Sequence, residues 1–325
     1  MSDVIERGSE MGEERTVMGD WRLALRGVRQ DRAGDALMGY LFILPALALY
    51  LTFSGYPLIR GLMIAFSDYR YLIPNHQPFN GLANFVEMVQ DPLFWASFGR
   101  SLYYTLIYTP LNIGLGLLIA LLIARITRPF EASIYRVVAY LPVVLPIAVG
   151  FLLWKQLLHP QFGYLNYFLR EWVGIANPPA WLADLDWVIP TLAVAAVWKH
   201  VGQNILLFLV GLYNINGQLY EAAAIDGATG WAQFRHITLP LLSPTTFMLL
   251  ILSLIGAFQV FEYTYVMTGG GPVYATLTIV LHIYNNAFRS FKMGYASALA
   301  YVLFFILLAL TLIQLRLQKR WVHYE

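Results

Sequence analysis

The side chains of this chain that could bind another molecule are concentrated in two long apolar stretches. Carboxylate, amide, hydroxyl and imidazole groups set among apolar residues can hydrogen-bond a polar solute or carry a proton, and aromatic rings beside them can stack on it. Because polar groups are costly in apolar surroundings, such residues are candidates for a binding site. They are Trp198, Lys199, His200, Gln203 and Asn204 in the first stretch, and Ser253, Gln259, Glu262 and Tyr263 in the second.

Residues for catalytic chemistry are lacking. The chain has no cysteine, which excludes disulfides, thiol nucleophiles and Cys-ligated metals, and its six His show no paired spacing typical of zinc sites. Lys199 and His200 alone do not make a set of nucleophile, base and metal. We therefore expect neither an enzyme nor a metal or cofactor site in this chain.

The composition indicates a multi-pass membrane protein. Hydrophobic residues make up 58% and charged residues 12% of the 325 residues, with a mean hydropathy of +0.58, whereas a soluble domain has about 25% charged residues. A net charge of +2 is too small to indicate a nucleic-acid partner. Since a bilayer crossing needs about 20 apolar residues, six transmembrane helices are predicted in an all-α fold. The predicted spans are about 38–59, 101–124, 134–158, 188–212, 240–267 and 293–315.

The distribution of Lys and Arg predicts the orientation of these spans. With the N-terminus inside, thirteen Lys and Arg residues fall in cytoplasmic segments and six fall in outer segments. Residues 1–37 lack the apolar core of a cleavable signal peptide and are expected to be a cytoplasmic tail. Residues 38–320 would form the transmembrane domain and residues 321–325 a second cytoplasmic tail, so both termini are predicted to be cytoplasmic.

The polar residues within the spans also have a plainer interpretation. Each could hydrogen-bond a neighbouring helix instead of a solute, and Glu262 could reach the outer membrane interface. The same applies to Asn112, for which bonding between helices is favoured. Tyr103, Tyr104 and Tyr108 are typical of an aromatic belt at the membrane interface.

A polar insert separates the fourth and fifth spans, on the side predicted to be cytoplasmic. Asn214 and Asn216 can cap a short helix over about 218–226, and Gly227 can supply the left-handed position that ends it. Thr229 can then cap a second helix that runs to about Thr238. Such a thin, bent rod could enter a cleft on another protein, or it could be an amphipathic loop on the membrane surface.

This insert resembles the cytoplasmic coupling motif of permease subunits of binding-protein-dependent ATP-binding-cassette (ABC) importers. The pattern E-A-A-x-x-D-G-A, followed by I-x-L-P, consists here of Glu221, Ala222, Ala223, Asp226, Gly227, Ala228, Ile237, Leu239 and Pro240. Matches to the carbohydrate branch of that family lie at 79–85, 91–95, 268–272 and 294–298. The 268–272 turn, T-G-G-G-P, is similar to that of the first permease of maltose and glycerol-3-phosphate importers.

The resemblance covers about residues 38–320 and implies the type I ABC importer permease fold with a cytoplasmic coupling helix. It implies an inner-membrane subunit that moves a sugar or related carbohydrate into the cytoplasm, and the nine residues named first become candidates for the substrate path. The loop of about 30 residues between the third and fourth spans implies a shorter form than the maltose permease, without that protein's large periplasmic domain and additional N-terminal helices.

The resemblance also implies partners. These are a second homologous permease, an ABC ATPase dimer and an extracytoplasmic solute-binding protein, all at the lipid bilayer. It implies that Glu221 contacts the ATPase, that Ala222 and Ala223 allow close packing, and that Gly227 forms the bend. ATP and Mg²⁺ would be bound by the ATPase, since this chain has no G-x-x-x-x-G-K-[ST] phosphate loop.

An ion-coupled secondary transporter is the alternative. Such proteins commonly use intramembrane carboxylates, and Glu262 is the only acidic residue within a predicted span. Which carbohydrate an importer would carry stays open, because a separate binding protein selects it.

Overall fold

The computed structural model describes residues 36–73, 77–319 and 321–322. Within these residues the regular secondary structure is helical, apart from two isolated bridges between single residues. In this described part of the chain, five helices are long and apolar enough to cross a membrane, and a bent pair would be the sixth. The all-α class with six spans is therefore confirmed, whereas the two predicted tails lie largely outside the described residues.

The chain divides into two compact units after Met63. The described part of the first unit lies in helix α1, Ala36–Ala65, which contains a π-helical turn at Leu51–Gly55. This helix is longer at both ends than the predicted 38–59 span.

The second unit, residues 64–325, holds the remaining helices. In its described residues the α-helices of four residues or more are α2 (Ala83–Gln90), α3 (Pro92–Ala124), α4 (Pro129–Val144), α5 (Ile147–Leu157), α6 (Tyr164–Glu171), α7 (Val188–Tyr213), α8 (Gly217–Ile225), α9 (Gly230–Gln233), α10 (Ser243–Phe258), α11 (Ile279–Tyr284) and α12 (Met293–Gln318).

Helix α3 begins well before the 101–124 span predicted from hydropathy. The Asp91 side chain accepts a hydrogen bond from the backbone N–H of Leu93 at 2.8 Å, and Pro92 occupies the first helical position. An Asp cap followed by proline is a strong helix start, because proline has no N–H to leave unpaired there. The cap therefore extends the helix to 33 residues.

Helix α7 lies at the centre of the second unit and packs against α3, α4 and α10. Its bounds agree closely with the predicted 188–212 span. The helix is lined with small residues, among which Ala193, Ala195 and Ala196 are fully buried. Their small volume allows the neighbouring helices to approach closely, as small residues do between membrane helices.

The continuous span predicted at 134–158 is replaced by two helices, α4 and α5, which are bent by 96° relative to each other. Pro142 lies near the end of α4, and Pro146 precedes α5. Leu145 and Pro146 are extended, with ψ of 138° and 135°. Proline disfavours the helical conformation of the residue before it and has no N–H for the helix ladder. The two prolines thus account for the bend.

The fifth span, predicted at 240–267, is interrupted as well. It extends over Ser243–Thr268, but residues 259–261 are not helical, and a π-helical turn, Tyr263–Thr268, follows. The carbonyl of Val260 within this break accepts a hydrogen bond from the Thr278 hydroxyl at 3.1 Å. A distant side chain therefore satisfies backbone that the helix leaves unpaired.

Helix α12, Met293–Gln318, contains the predicted 293–315 span and continues three residues beyond it. Helix α12 packs against α2 and α11. Buried Leu299, Leu303 and Leu307 repeat every four residues along one face of it and join Phe94 and Phe258 in an apolar cluster. This periodicity is typical of a helix with one side against a protein core.

Candidate functional site

Two regions of the second unit hold most of the residues that the sequence singled out. The first is the 217–241 hairpin, which consists of α8, the turn at Gly227, α9 with the π-helical turn Phe234–Thr238, and the short helix Leu239–Leu241. The second is a polar cavity between α3, α7 and the broken fifth span.

The helices of the 217–241 hairpin are capped by the side chains that precede them. Asn216 Oδ1 accepts a hydrogen bond from Gln218 N at 3.0 Å, and Thr229 Oγ1 accepts one from Ala232 N at 3.3 Å. Helix α8 therefore agrees with the predicted 218–226 helix within one residue. Asn214, which was also expected to act as a cap, instead lies at the C-terminal end of α7.

Gly227 forms the bend between the two short helices. Its φ is +79°, a left-handed conformation that glycine adopts without a steric penalty. Gly227 N donates to Ala224 O at 3.1 Å, and Ala228 N donates to Ala223 O at 2.8 Å. This pair of bonds is the Schellman motif, which supplies hydrogen-bond donors to carbonyls in the last turn of a helix. The bend is thus fixed by backbone hydrogen bonds.

The 217–241 hairpin is hydrogen-bonded within itself and packs against the transmembrane helices beside it. The Tyr220 hydroxyl lies 2.9 Å from the Thr238 hydroxyl, and Gln233 Nε2 donates to Tyr220 O at 3.4 Å. The side chains of Tyr220 and Ile237 pack against a buried apolar cluster that includes Leu209 of α7. A force on the hairpin would therefore reach α7 and the fifth span directly.

The opposite face of the 217–241 hairpin is exposed. Glu221, Ala222, Asp226 and Gly227 are exposed, whereas Ala223 and Ala228 are half-buried. The Ile225 side chain at the tip of α8 is 87% exposed, and Trp231 at the start of α9 is 68% exposed. Two large apolar side chains presented beside carboxylates are typical of an interaction surface.

The polar cavity has a volume of about 350 Å³ and contains amide, hydroxyl, imidazole and carboxylate groups on its wall. Seven of the nine candidate residues line it. They are His200, Gln203, Asn204, Ser253, Gln259, Glu262 and Tyr263. Gln259, the first residue of the break at 259–261, and Glu262, which directly follows it, are exposed and line the cavity. The break thus presents polar side chains that a continuous helix would place differently.

Trp198 and Lys199 do not line this cavity. The Trp198 ring packs edge-on against Trp154, with 5.9 Å between ring centroids, and borders a separate apolar pocket. Lys199 is buried, and its Nζ donates to three backbone carbonyls, those of Pro142 at 2.7 Å, Val143 at 2.9 Å and Leu145 at 2.6 Å.

The position of Lys199 follows from the bend between α4 and α5. Pro146 cannot donate to the carbonyl of Pro142, so the bend leaves carbonyl groups without helical partners. An ammonium group has three N–H donors, and Lys199 uses them on these carbonyls. A Cβ at Gly202 would collide with the carbonyl of Ala139, so glycine is needed for α4 to lie this close to α7. Lys199 therefore holds the broken span against α7.

Two tyrosines and an asparagine of α3 line the cavity although they were not among the candidates. Tyr104 and Tyr108 are buried and stacked, with ring centroids 5.6 Å apart and an angle of 9° between the rings. Because Tyr104 and Tyr108 are buried, their interpretation as part of an aromatic belt at the membrane interface was wrong. Tyr103, the third tyrosine of that predicted belt, is exposed. Tyr104, Tyr108 and Asn112 are four residues apart, so they share one helix face. That spacing was the available signal.

Hydrogen bonds connect the walls of the cavity. Asn112 Nδ2 donates to the Tyr108 hydroxyl at 3.1 Å, and Asn204 Nδ2 donates to Asn112 O at 3.3 Å. The Asn112 side chain therefore bonds within α3 and lines the cavity, whereas the bond between helices is donated by Asn204 to the Asn112 backbone carbonyl; the expected bridging by the Asn112 side chain is not what the structure shows. The Tyr263 hydroxyl lies 3.1 Å from His200 Nε2. These bonds fix the orientation of side chains from α3, α7 and the fifth span before any solute binds.

A third polar cluster fixes the start of α3. The Asp91 carboxylate accepts a hydrogen bond from the Tyr295 hydroxyl at 2.7 Å, and its Oδ2 lies 3.2 Å from His282 Nε2. Burial by itself would raise the pKa of Asp91, but the bonds from Tyr295 and Leu93 N and the nearby His282 hold that pKa below its ordinary value. Burial lowers the pKa of His282, although Asp91 opposes this.

Among the described residues, no group of three or more His, Asp or Glu side chains is placed to hold a metal ion.

Comparison with known proteins gave a consistent result. Residues 112–323 match the model of the family described as "Binding-protein-dependent transport system inner membrane component". The chain is 34% identical to the sn-glycerol-3-phosphate transport system permease protein UgpA of Agrobacterium fabrum, over 89% of this chain and 97% of that protein. It is 31% identical to the lactose transport system permease protein LacF of Rhizobium radiobacter, over 85% and 92% of the two chains.

Among solved structures, the fold is similar to a chain of a bacterial ABC transporter involved in the import of the acidic polysaccharide alginate. The TM-score is 0.76 and the identity is 26%, and the match covers 91% of this chain and 98% of that one.

Proposed function

Because this chain belongs to the family of inner membrane components of binding-protein-dependent transport systems, we propose that it forms one wall of the passage by which an ABC importer brings a carbohydrate into the cytoplasm. The observation that carries this proposal is the polar cavity, whose wall combines amide side chains with stacked tyrosine rings. Family membership favours transport driven by ATP over the ion-coupled alternative.

The chemistry of the cavity suits a hydroxylated solute. A sugar presents hydroxyl groups at its edges and apolar C–H groups on its ring faces. The amides of Gln203, Asn204 and Gln259 can each donate and accept hydrogen bonds. The aromatic rings of Tyr104 and Tyr108 can lie against the apolar face of the sugar ring. The volume of about 350 Å³ lies within the range of about 300 to 1,000 Å³ of small-molecule sites.

The relatives support a carbohydrate as the class of cargo. Their names include a neutral sugar, lactose, and a charged solute, sn-glycerol-3-phosphate. The structural neighbour imports an acidic polysaccharide.

The 217–241 hairpin is the proposed contact with the ATPase dimer, which would bind ATP and Mg²⁺. Glu221 and Asp226 would make polar contacts, while Ala222, Ala223 and Ala228 would allow close packing in a cleft. Gly227 would keep the two short helices at a fixed angle. Since the hairpin is bonded to itself through Tyr220 and Thr238, closure of the ATPase would move it as a rigid body together with α7 and the fifth span.

The remaining parts of the assembly are proposed on the same basis. A second, homologous permease would supply the other wall of the passage, and an extracytoplasmic solute-binding protein would deliver the cargo. The chain is a multi-pass inner-membrane protein. We place residues 1–37, the 217–241 hairpin and residues 321–325 in the cytoplasm, as the Lys and Arg distribution indicates.

Uptake by the complete assembly in sealed vesicles tests this proposal. The permease pair and the ATPase would be reconstituted, and the solute-binding protein would be supplied outside with radiolabelled carbohydrates. We expect uptake that requires both ATP and the binding protein and that persists in the presence of a protonophore. Uptake that continues without ATP but stops with the protonophore would contradict the proposal and support ion coupling.

A further inference from the structure

The charges around the polar cavity are distributed unevenly. Among its lining residues, all of which are described, Glu262 is the only one with a carboxylate, and none is Lys or Arg. His200 is the only other lining side chain that commonly changes its charge near neutral pH, and its Nε2 faces the Tyr263 hydroxyl. The wall that this chain contributes is therefore polar with a single negative charge.

The cation closest in sequence to this wall is turned away from it. Lys199 precedes His200, yet its ammonium group has three N–H donors and all three are used on the carbonyls of Pro142, Val143 and Leu145. Freeing the ammonium for a solute would leave those half-buried carbonyls without the donor that they now share, which is unfavourable. Lys199 thus cannot serve as a counter-charge for an anionic cargo without disrupting the bend between α4 and α5.

An anionic carbohydrate would be poorly matched to this wall. Phosphate, sulfonate and carboxylate groups are bound in proteins mainly by Arg, Lys or converging backbone N–H groups. Here such a group would meet the Glu262 carboxylate in a cavity surrounded by apolar helices, where repulsion between like charges is stronger than in bulk water. Hydroxyl groups have no such penalty, because a carboxylate accepts hydrogen bonds from them and an amide both accepts from and donates to them.

We propose that the cargo of this permease is a neutral, hydroxyl-rich carbohydrate, and that Glu262 is the residue that discriminates against acidic derivatives. This inference rests on the proposed function, since it concerns the cargo of the same cavity. Glu262 is well placed for such a role, because it is exposed on the wall of the cavity directly after the break at 259–261. A carboxylate there accepts hydroxyl hydrogen bonds and repels anions.

The first test measures which carbohydrates the complete reconstituted assembly takes up with ATP and its solute-binding protein. The probes would be lactose, maltose and glucose, set against lactobionate, maltobionate and glucose 6-phosphate. We expect transport to be confined to neutral probes. Transport of an acidic probe would overturn the inference and leave the proposed function intact. No ATP-dependent uptake of any carbohydrate would overturn the proposed function itself.

The second test removes selection by the binding protein. Direct binding of lactose and lactobionate to the purified permease and ATPase assembly would be measured by calorimetry, with wild-type protein, Glu262→Gln and Glu171→Gln. Glu171 is an exposed carboxylate at the end of α6 and serves as the matched control.

We expect Glu262→Gln to reduce the preference for the neutral sugar by about tenfold, since it removes the like charge and keeps the shape. Glu171→Gln should leave the preference unchanged. Equal binding of both sugars by the wild type would overturn the inference about the cargo. A preference that Glu262→Gln does not alter, or that Glu171→Gln reduces equally, would overturn the role of Glu262.

Discussion

The caps of the 217–241 hairpin join residues two or three positions apart, whereas hydrogen bonds in the wall of the polar cavity join residues 63 and 92 positions apart. Local bonds thus fix the starts of α8 and α9 and the bend between them. The wall of the cavity, by contrast, exists only while α3, α7 and the fifth span keep their relative positions. A lever needs the first property, and a site that must open and close needs the second.

The strongest test of this comparison alters the bend of the hairpin. Gly227→Pro should reduce uptake to background, because proline cannot adopt a φ of +79° and has no N–H for the bond to Ala224 O. The protein should still insert and bind its cargo. Uptake, cargo binding and co-purification of the ATPase would be measured on the same preparation.

Gly174→Pro is the matched control for that substitution. Gly174 has the same φ of +79° but lies in a loop after α6 with open space around it. We expect Gly174→Pro to retain uptake. If both variants lost uptake equally, the loss would reflect general damage and the hairpin would have no special role.

A second test asks whether Lys199 belongs to the structure of the wall rather than to the site. Lys199→Met removes the donor of three half-buried carbonyls and should reduce the free energy of unfolding by about 3 kcal/mol. The preference among sugars should not change, because Lys199 does not line the cavity. The melting temperature in detergent and the binding of neutral and acidic sugars would be measured together.

Lys155→Met supplies the control, since Lys155 is exposed in the last turn of α5. It should melt at the wild-type temperature. A Lys199→Met protein of normal stability but altered sugar preference would place Lys199 in the substrate path after all.

The comparison also explains what the sequence could reveal. The hairpin was predictable, because Asn216, Gly227 and Thr229 act on residues within three positions of themselves. Asn214 was misassigned, since Asn214 and Asn216 are the same residue type two positions apart, and only the structure shows that Asn214 ends α7 while Asn216 caps α8. Pro142 and Pro146 were visible in the sequence, yet the apolar composition of 134–158 concealed the bend that they cause.

The cavity was predictable only in part. Polar residues in α7 and the fifth span were found because they are costly in apolar stretches. The break at 259–261 has no proline, and the Thr278 hydroxyl that bonds Val260 is far away in sequence. Lys199 was taken for a site residue because it is a charged residue in an apolar stretch. Its actual partners are backbone carbonyls that only the tertiary bend leaves free. Such partners cannot be inferred from residue types.

A third test addresses the cavity itself. Gln203→Leu and Gln259→Leu each remove an amide from the wall and should increase the KM for uptake by about tenfold, the loss of one or two hydrogen bonds to the cargo. Basal ATPase activity should stay normal, since the hairpin is untouched. Gln161→Leu, at an exposed position outside the cavity, is the control. Unchanged KM values in both cavity variants would reassign these residues to packing.

The smallest expected effect concerns the Asp91 cluster, whose hydrogen bonds join residues 191 and 204 positions apart. Because burial lowers the pKa of His282 in the folded protein, the unfolded chain binds more protons as the pH falls below about 6.5. Stability should therefore decrease from pH 7 to pH 5. Asp91 contributes little in this window. Its pKa in the folded protein is lowered further below the ordinary value of an Asp carboxyl, so the carboxylate is ionised in both the folded and the unfolded chain between pH 7 and pH 5.

We expect the melting temperature to fall by a few degrees over that range, and His282→Gln to flatten the dependence, because glutamine does not titrate. His236→Gln, which replaces an exposed histidine of the 217–241 hairpin, should keep the wild-type pH dependence. If His236→Gln flattened the curve and His282→Gln did not, the pH-sensitive contact would lie in the locally bonded region. The contrast between a self-contained hairpin and walls held by distant contacts would then be wrong.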